Sequence, residues 1–116
     1  WADLTKKVEK ALSVDGPAFI NMLSPCPLGW YYDPSLTIKV AKLAVETNFW
    51  PLYEVADGKH IITHKPRKAK PVEEWLKMQG RFRHLFTPEN RHIIDEIQSN
   101  TDKHWEWLLK LEKAEV

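Results

Sequence analysis

Apolar residues fall at every fourth position near the start of the chain: Leu4, Val8 and Leu12 within ADLTKKVEKAL. That spacing puts all of them on one face, and Asp3 can cap the first turn, so a helix is predicted over Ala2–Leu12. Gly16 then offers a C-terminal cap, and Pro17 bars continuation. At Ala18–Leu23 the pattern changes to AFINML, a short and nearly all-apolar run. Such a run predicts a strand buried on both faces, as in a parallel sheet. Helix, turn and buried strand together read as the last unit of a doubly wound α/β sheet. In such sheets ligands gather beyond the carboxyl ends of the strands.

Asp33-Pro34 supplies a cap and a first-turn proline for a helix predicted over Ser35–Thr47, with Val40, Ala41 and Ala44 as a small apolar stripe. Pro51–Ala56, the Asp57-Gly58 turn and Lys59–His64 predict a β-hairpin. KPRKAKP follows, with Lys65, Arg67, Lys68 and Lys70 among its residues, and reads as an extended linker. A short helix is predicted over Pro71–Gln79, ended by Gly80, and GRFRHLF reads as an irregular basic-aromatic stretch. Two further helices are predicted, Glu89–Gln98 and Asp102–Ala114. The expected organisation is therefore a helix–strand unit over residues 1–33 and an extension over residues 34–116. The second half of that extension reads as an arm that lies on another surface.

Charge and composition narrow the function classes. The net charge is +1, so there is no global field to draw nucleic acid. Lys65, Arg67, Lys68, Lys70, Arg81 and Arg83 form two basic clusters, without a recognised nucleic-acid module around them. No apolar run reaches the roughly 18 residues that a membrane span needs. The six tryptophans are an unusual number, and Trp is enriched at interfaces. The chain begins at Trp1 without an initiator Met and reads as a piece of a longer protein. A lone cysteine excludes an internal disulfide and points to a reducing compartment, the cytoplasm.

That cysteine, Cys26, sits between Pro25 and Pro27, just past the predicted strand. Three readings fit it: a small buried hydrophobe, a catalytic thiolate, or a ligand of a metal cluster. A thiolate nucleophile needs a nearby base, and no signature supplies one. Iron–sulfur clusters take thiolates, and flanking prolines would hold the sulfur in one direction with little entropy lost on binding. One cysteine cannot hold a four-iron cluster, so that reading needs further ligands from elsewhere. His60 and His64 alternate onto one strand face, but no third ligand has a natural spacing from them. The four glycines are isolated, so no phosphate-binding glycine loop is present.

Longer strings carry more than these parts. GPAFINMLSPCPLGWYYDPSLTIKVAKLAVETNFWPLYE, followed by KPVEEWLKMQGRFRHL, resembles the C-terminal part of the β subunit of the 2-oxoacid:ferredoxin oxidoreductase family. The densest blocks of the resemblance are SPCPLGW with the following DPSLT, and LKMQGRFRHL.

The resemblance implies a thiamine-diphosphate-binding fold: a parallel sheet with helices on both faces, of which residues 1–33 would be the last helix–strand unit. It implies thiamine diphosphate held through Mg²⁺, and a [4Fe-4S] cluster close by. It implies oxidative decarboxylation of pyruvate or a related 2-oxoacid with coenzyme A, with electrons passed to ferredoxin, and it implies partner subunits of the α, γ and δ types. The Cys of the SPCP block, Cys26, would be the fourth ligand of that cluster. No catalytic residue is assigned in this stretch, which alone is expected to be inactive. Asp15-Gly16 and Asp57-Gly58 both lack the leading Gly of the family's Gly-Asp-Gly diphosphate motif. Leu28 stands where many members carry Thr, which leaves the identity of the acid open.

Overall fold

A computed structural model describes residues 1–114. Its helices are α1 (Ala2–Ser13), α2 (Pro27–Trp30), α3 (Thr37–Glu46), α4 (Val72–Lys77) and α5 (Arg91–Ala114), and its strands are β1 (Leu52–Ala56) and β2 (Lys59–His64). Three 3₁₀ turns, Pro34–Leu36, Gly80–Leu85 and Pro88–Asn90, link them.

The start of α3 follows from local chemistry. Asp33 accepts a hydrogen bond from the Ser35 N–H at 2.8 Å, and Pro34 presets the first turn. Val40, Leu43, Ala44 and Thr47 then fall on one face and are buried. The helix stops where Asn48 adopts φ 61°, a left-handed conformation that Asn tolerates. On the buried face of α3 lie Val72, Trp75 and Leu76 of α4, Leu85 and Ile94. Trp75 is the hub: its indole N–H donates to the Val40 carbonyl at 3.1 Å, and its ring stacks on Phe49 at 4.4 Å.

The hairpin is antiparallel, with Tyr53 opposite Ile62 and Ala56 opposite Lys59. Asp57 and Gly58, at φ 50° and 76°, make the turn that a two-residue hairpin loop requires. α5 crosses β2, and there Glu112 accepts from the Ile62 N–H at 2.9 Å and from the Lys65 ammonium. These bonds, that from Lys65 first, hold the Glu112 carboxyl below its ordinary value of 4.5. A depressed carboxylate contributes stability above its unfolded value and loses it as pH falls through the folded one. Protection of the Ile62 amide, corrected for intrinsic exchange, should therefore hold from about pH 7 to about pH 5 and fall below that. In Glu112→Ala it should be low throughout. Identical profiles in the two proteins would show that the contact contributes nothing.

Three expectations need correction. Ala18–Leu23 belongs to no strand: among the described residues the only sheet is the β1–β2 hairpin. A strand needs a partner's N–H and C=O groups, and none faces this run. Phe19 is 89% and Met22 59% exposed, while Leu23 packs half-buried against the core, so the run is not buried on both faces.

The two helices expected at the end are one, α5, of 24 residues. Ser99-Asn100-Thr101-Asp102 reads as a break, but it contains neither Gly nor Pro. Two of its polar side chains bond along the helix, Thr101 donating to Ile97 O at 2.8 Å and Asp102 accepting from Gln98 at 2.9 Å. Finally, the second half is no arm detached from the first. α4, the Gly80–Leu85 turn and α5 close the core over α3.

α1 stands apart from this core. Lys10 pairs with Glu54, and Lys7 donates to Thr63 at 2.8 Å, but no residue of α1 is buried. Its predicted stripe ends in Leu12, 81% exposed. The radius of gyration is 16.1 Å, against about 13 Å for a compact chain of this length. No helix among the described residues is long and apolar enough to cross a membrane.

Candidate functional site

Cys26 ends the irregular run and caps α2, a single turn of four residues, PLGW. Pro27 occupies the first helical position, where the missing N–H costs nothing. The Trp30 N–H donates to the Cys26 carbonyl at 2.9 Å, and the Gly29 N–H points at the Cys26 sulfur, Sγ, at 3.4 Å. The thiol is free and exposed. Tyr31 closes the turn in the left-handed region, at φ 61°.

The turn is docked on the 3₁₀ turn that follows α4. The Gly80 N–H donates to the Tyr31 carbonyl at 2.7 Å. The approach is so close that a Cβ on Gly80 would lie 2.4 Å from Tyr31 Cδ1 and 2.9 Å from its carbonyl oxygen. The next residue, Arg81, lays its guanidinium over the Trp30 ring at 4.3 Å and the Phe82 ring at 4.5 Å. Its Nε donates to Gln79 Oε1 at 2.8 Å, and the buried Gln79 amide is itself anchored on the Trp75 carbonyl at 3.0 Å. Covering of the Arg81 guanidinium by its neighbours pulls its pKa below the ordinary value. A shallow cleft of about 350 Å³ lies alongside, between Gly29, Tyr31, Gly80, Arg83 and His84. The two densest blocks of the resemblance, SPCPLGW and LKMQGRFRHL, thus meet in space although some fifty residues separate them.

No protein-family model matches the chain. Pyruvate synthase subunit PorB of Thermotoga maritima is 52% identical over 113 residues, which is 97% of this chain and 35% of that subunit. PorB of Methanocaldococcus jannaschii is 52% identical over 101 residues, 87% of this chain and 33% of that subunit. Ketoisovalerate oxidoreductase subunit VorB of Pyrococcus abyssi is 40% identical over 116 residues, 98% of this chain and 35% of that subunit. The chain is a homologue of part of the 2-oxoacid:ferredoxin oxidoreductase β subunit. It spans about a third of the length of the curated relatives it matches.

Among the described residues no three His, Cys, Asp or Glu side chains gather as a metal site. By itself Cys26 offers a single sulfur. Its chemistry fits a thiolate ligand: an exposed sulfur, stiffened by flanking prolines and facing an N–H donor. Thiamine diphosphate and Mg²⁺ find no matching residues. Asp57-Gly58 is the hairpin turn, and Asp15-Gly16 follows the end of α1.

His60 stacks on Tyr53 at 6.2 Å and belongs to the hairpin. In the basic linker, Lys70 pairs with Glu46 at 2.8 Å, and Lys65 pairs with Glu112. Both cations are spent on the chain's own carboxylates. Reading by residue type singled out Cys26, took Gly80 as the end of a helix and Arg81 as part of a basic cluster, and gave neither a role at Cys26. Their pairing with Tyr31 and Trp30 has no periodicity, and only the density of the two family-like blocks pointed to them.

Proposed function

We propose that this chain is the segment of a pyruvate-synthase-type β subunit that supplies Cys26 as one ligand of a [4Fe-4S] cluster. In this reading residues 1–33 complete the thiamine-diphosphate-binding domain, and residues 34–116 extend it. The parallel sheet, the diphosphate and Mg²⁺ site and the other cluster ligands belong to the rest of the subunit. The whole enzyme decarboxylates pyruvate or a related 2-oxoacid with coenzyme A, working in the cytoplasm with its partner subunits and ferredoxin. The observation that carries the proposal is the placing of Cys26. In a chain 52% identical to PorB, its sulfur is exposed at the head of a docked turn, with the Gly29 N–H aimed at it.

When bound, the cluster would supply one-electron transfer from the site of decarboxylation. Cys26 would hold it, and the residues around the turn would shade it. An N–H directed at a ligating sulfur, as that of Gly29 is at Cys26, would raise the cluster's potential. Trp30 and Tyr32, edge to face at 6.4 Å, wall the turn with apolar surface and keep water from its inner side.

Cys26→Ser in the assembled oxidoreductase is expected to lose up to about four iron atoms per β subunit, and with them ferredoxin reduction. Unchanged iron and unchanged electron transfer would overturn the assignment. A second reading, assembly with an inert Cys26, draws on the exposed Phe19, Leu28 and Leu12 and on the elongated shape. The same experiment separates the two: iron lost from a complex of normal size favours the ligand, and iron retained favours assembly alone.

A further inference from the structure

We propose that Arg81 is a positioning residue for Cys26: its guanidinium, clamped between the Trp30 and Phe82 rings, latches the thiol-bearing turn to the body of the protein. The inference rests on the ligand reading for its purpose, but its geometry stands without a cluster.

The links run in sequence. Gly29 and Trp30 hold Cys26 through their N–H groups, one to the sulfur and one to the carbonyl. A four-residue helix has too few hydrogen bonds to persist alone, so these contacts last only while the turn is held from outside. Gly80 and Arg81 give two strong holds. Gly80 takes the Tyr31 carbonyl, and Arg81 covers the Trp30 ring. Gly80 fixes the backbone at one point and leaves the turn free to swing about it. Arg81 removes that freedom, because a planar cation between two rings resists both lifting and sliding. The clamp is itself directed: Arg81 Nε is bonded to Gln79, Gln79 to the Trp75 carbonyl, and the Trp75 indole to the α3 backbone. Trp30 also meets the Trp75 ring edge-on at 5.9 Å, so the turn rests on the core that the latch closes over.

Lysine keeps the charge but cannot stack as a plate or donate from Nε to Gln79. Arg81→Lys and Arg81→Met should therefore behave alike. Each is made in the assembled oxidoreductase. The first measurement is hydrogen exchange at the Trp30 amide, which is bonded to the Cys26 carbonyl, in the iron-stripped complex, followed by mass spectrometry on the peptide that carries it. Opening of the turn should rise about tenfold in both variants. The second is the midpoint potential of the cluster that Cys26→Ser abolishes, which should fall in both as the Gly29 N–H loses its place. Rates and potentials equal to those of the parent overturn the latch. So does full rescue by lysine, since charge alone would then suffice. If Cys26→Ser leaves the iron in place, the ligand reading falls, and the exchange rates still decide the latch.

Discussion

Gly80→Ala is expected to undock the Cys26 turn. A Cβ at this position would sit 2.4 Å from the Tyr31 ring and 2.9 Å from the Tyr31 carbonyl, and neither atom can step aside cheaply. The carbonyl is backbone, and the ring atom lies near the root of its side chain. Relieving the overlap means pushing the turn outward, at a cost of about 1–3 kcal/mol. The Gly80 N–H bond to Tyr31 goes with it, worth about 0.5–1.5 kcal/mol. Against this, alanine reduces the freedom of the unfolded chain by about 0.4–1 kcal/mol. Steric loss wins, by about 2 kcal/mol at the middle of these ranges. Urea denaturation should show the lower midpoint, and iron retention should fall as the turn leaves its seat. A midpoint equal to or above the parent's would mean that the two turns are not in contact.

Trp75→Ala is expected to cost more, because it removes the hub of the core. Trp75 is 2% exposed and touches Phe49, Trp30 and Phe82. Truncating a buried tryptophan costs about 3–5 kcal/mol, which is a large share of the stability of a small domain. With a urea slope of about 1–3 kcal/mol/M, the midpoint should fall by about 2 M. Trp75→Phe separates packing from hydrogen bonding. It keeps a ring against Phe49 but gives up the indole hydrogen bond to the Val40 carbonyl, at about 0.5–1.5 kcal/mol. The order parent, Phe, Ala is the expected result. A Phe variant as weak as the Ala variant would assign the whole effect to the indole N–H.

What the sequence made legible was local. The Asp33-Pro34 start of α3, the Asp57-Gly58 hairpin turn and the short helix between Pro71 and Gly80 are each set by neighbours a few residues apart, and all are found. Ala18–Leu23 failed for the opposite reason. Its apolar residues signal burial, but strand identity depends on a partner that pattern alone cannot supply. At Ser99–Asp102, residue type pointed to a break, while the hydrogen bonds of Thr101 and Gln98 keep the helix whole. In the site, Cys26 was visible from rarity and flanking prolines. The latch was not, because it joins Trp30 to Arg81 across a long stretch of chain by stacking, which leaves no spacing to read.

The unbroken α5 has a mechanical meaning. At 1.5 Å per residue its 24 residues form a rod of about 36 Å. Ile94, near one end, is wedged in the core behind the Cys26 turn, and Glu112, near the other, grips the hairpin. The rod is a ruler with a phase. A residue added between those points would advance Glu112 by about 1.5 Å and swing it through about 100°, away from Ile62, with the core end undisturbed. Length and pitch together set where the hairpin stands relative to the thiol, so the two ends can drift in sequence only in ways that keep the count between them.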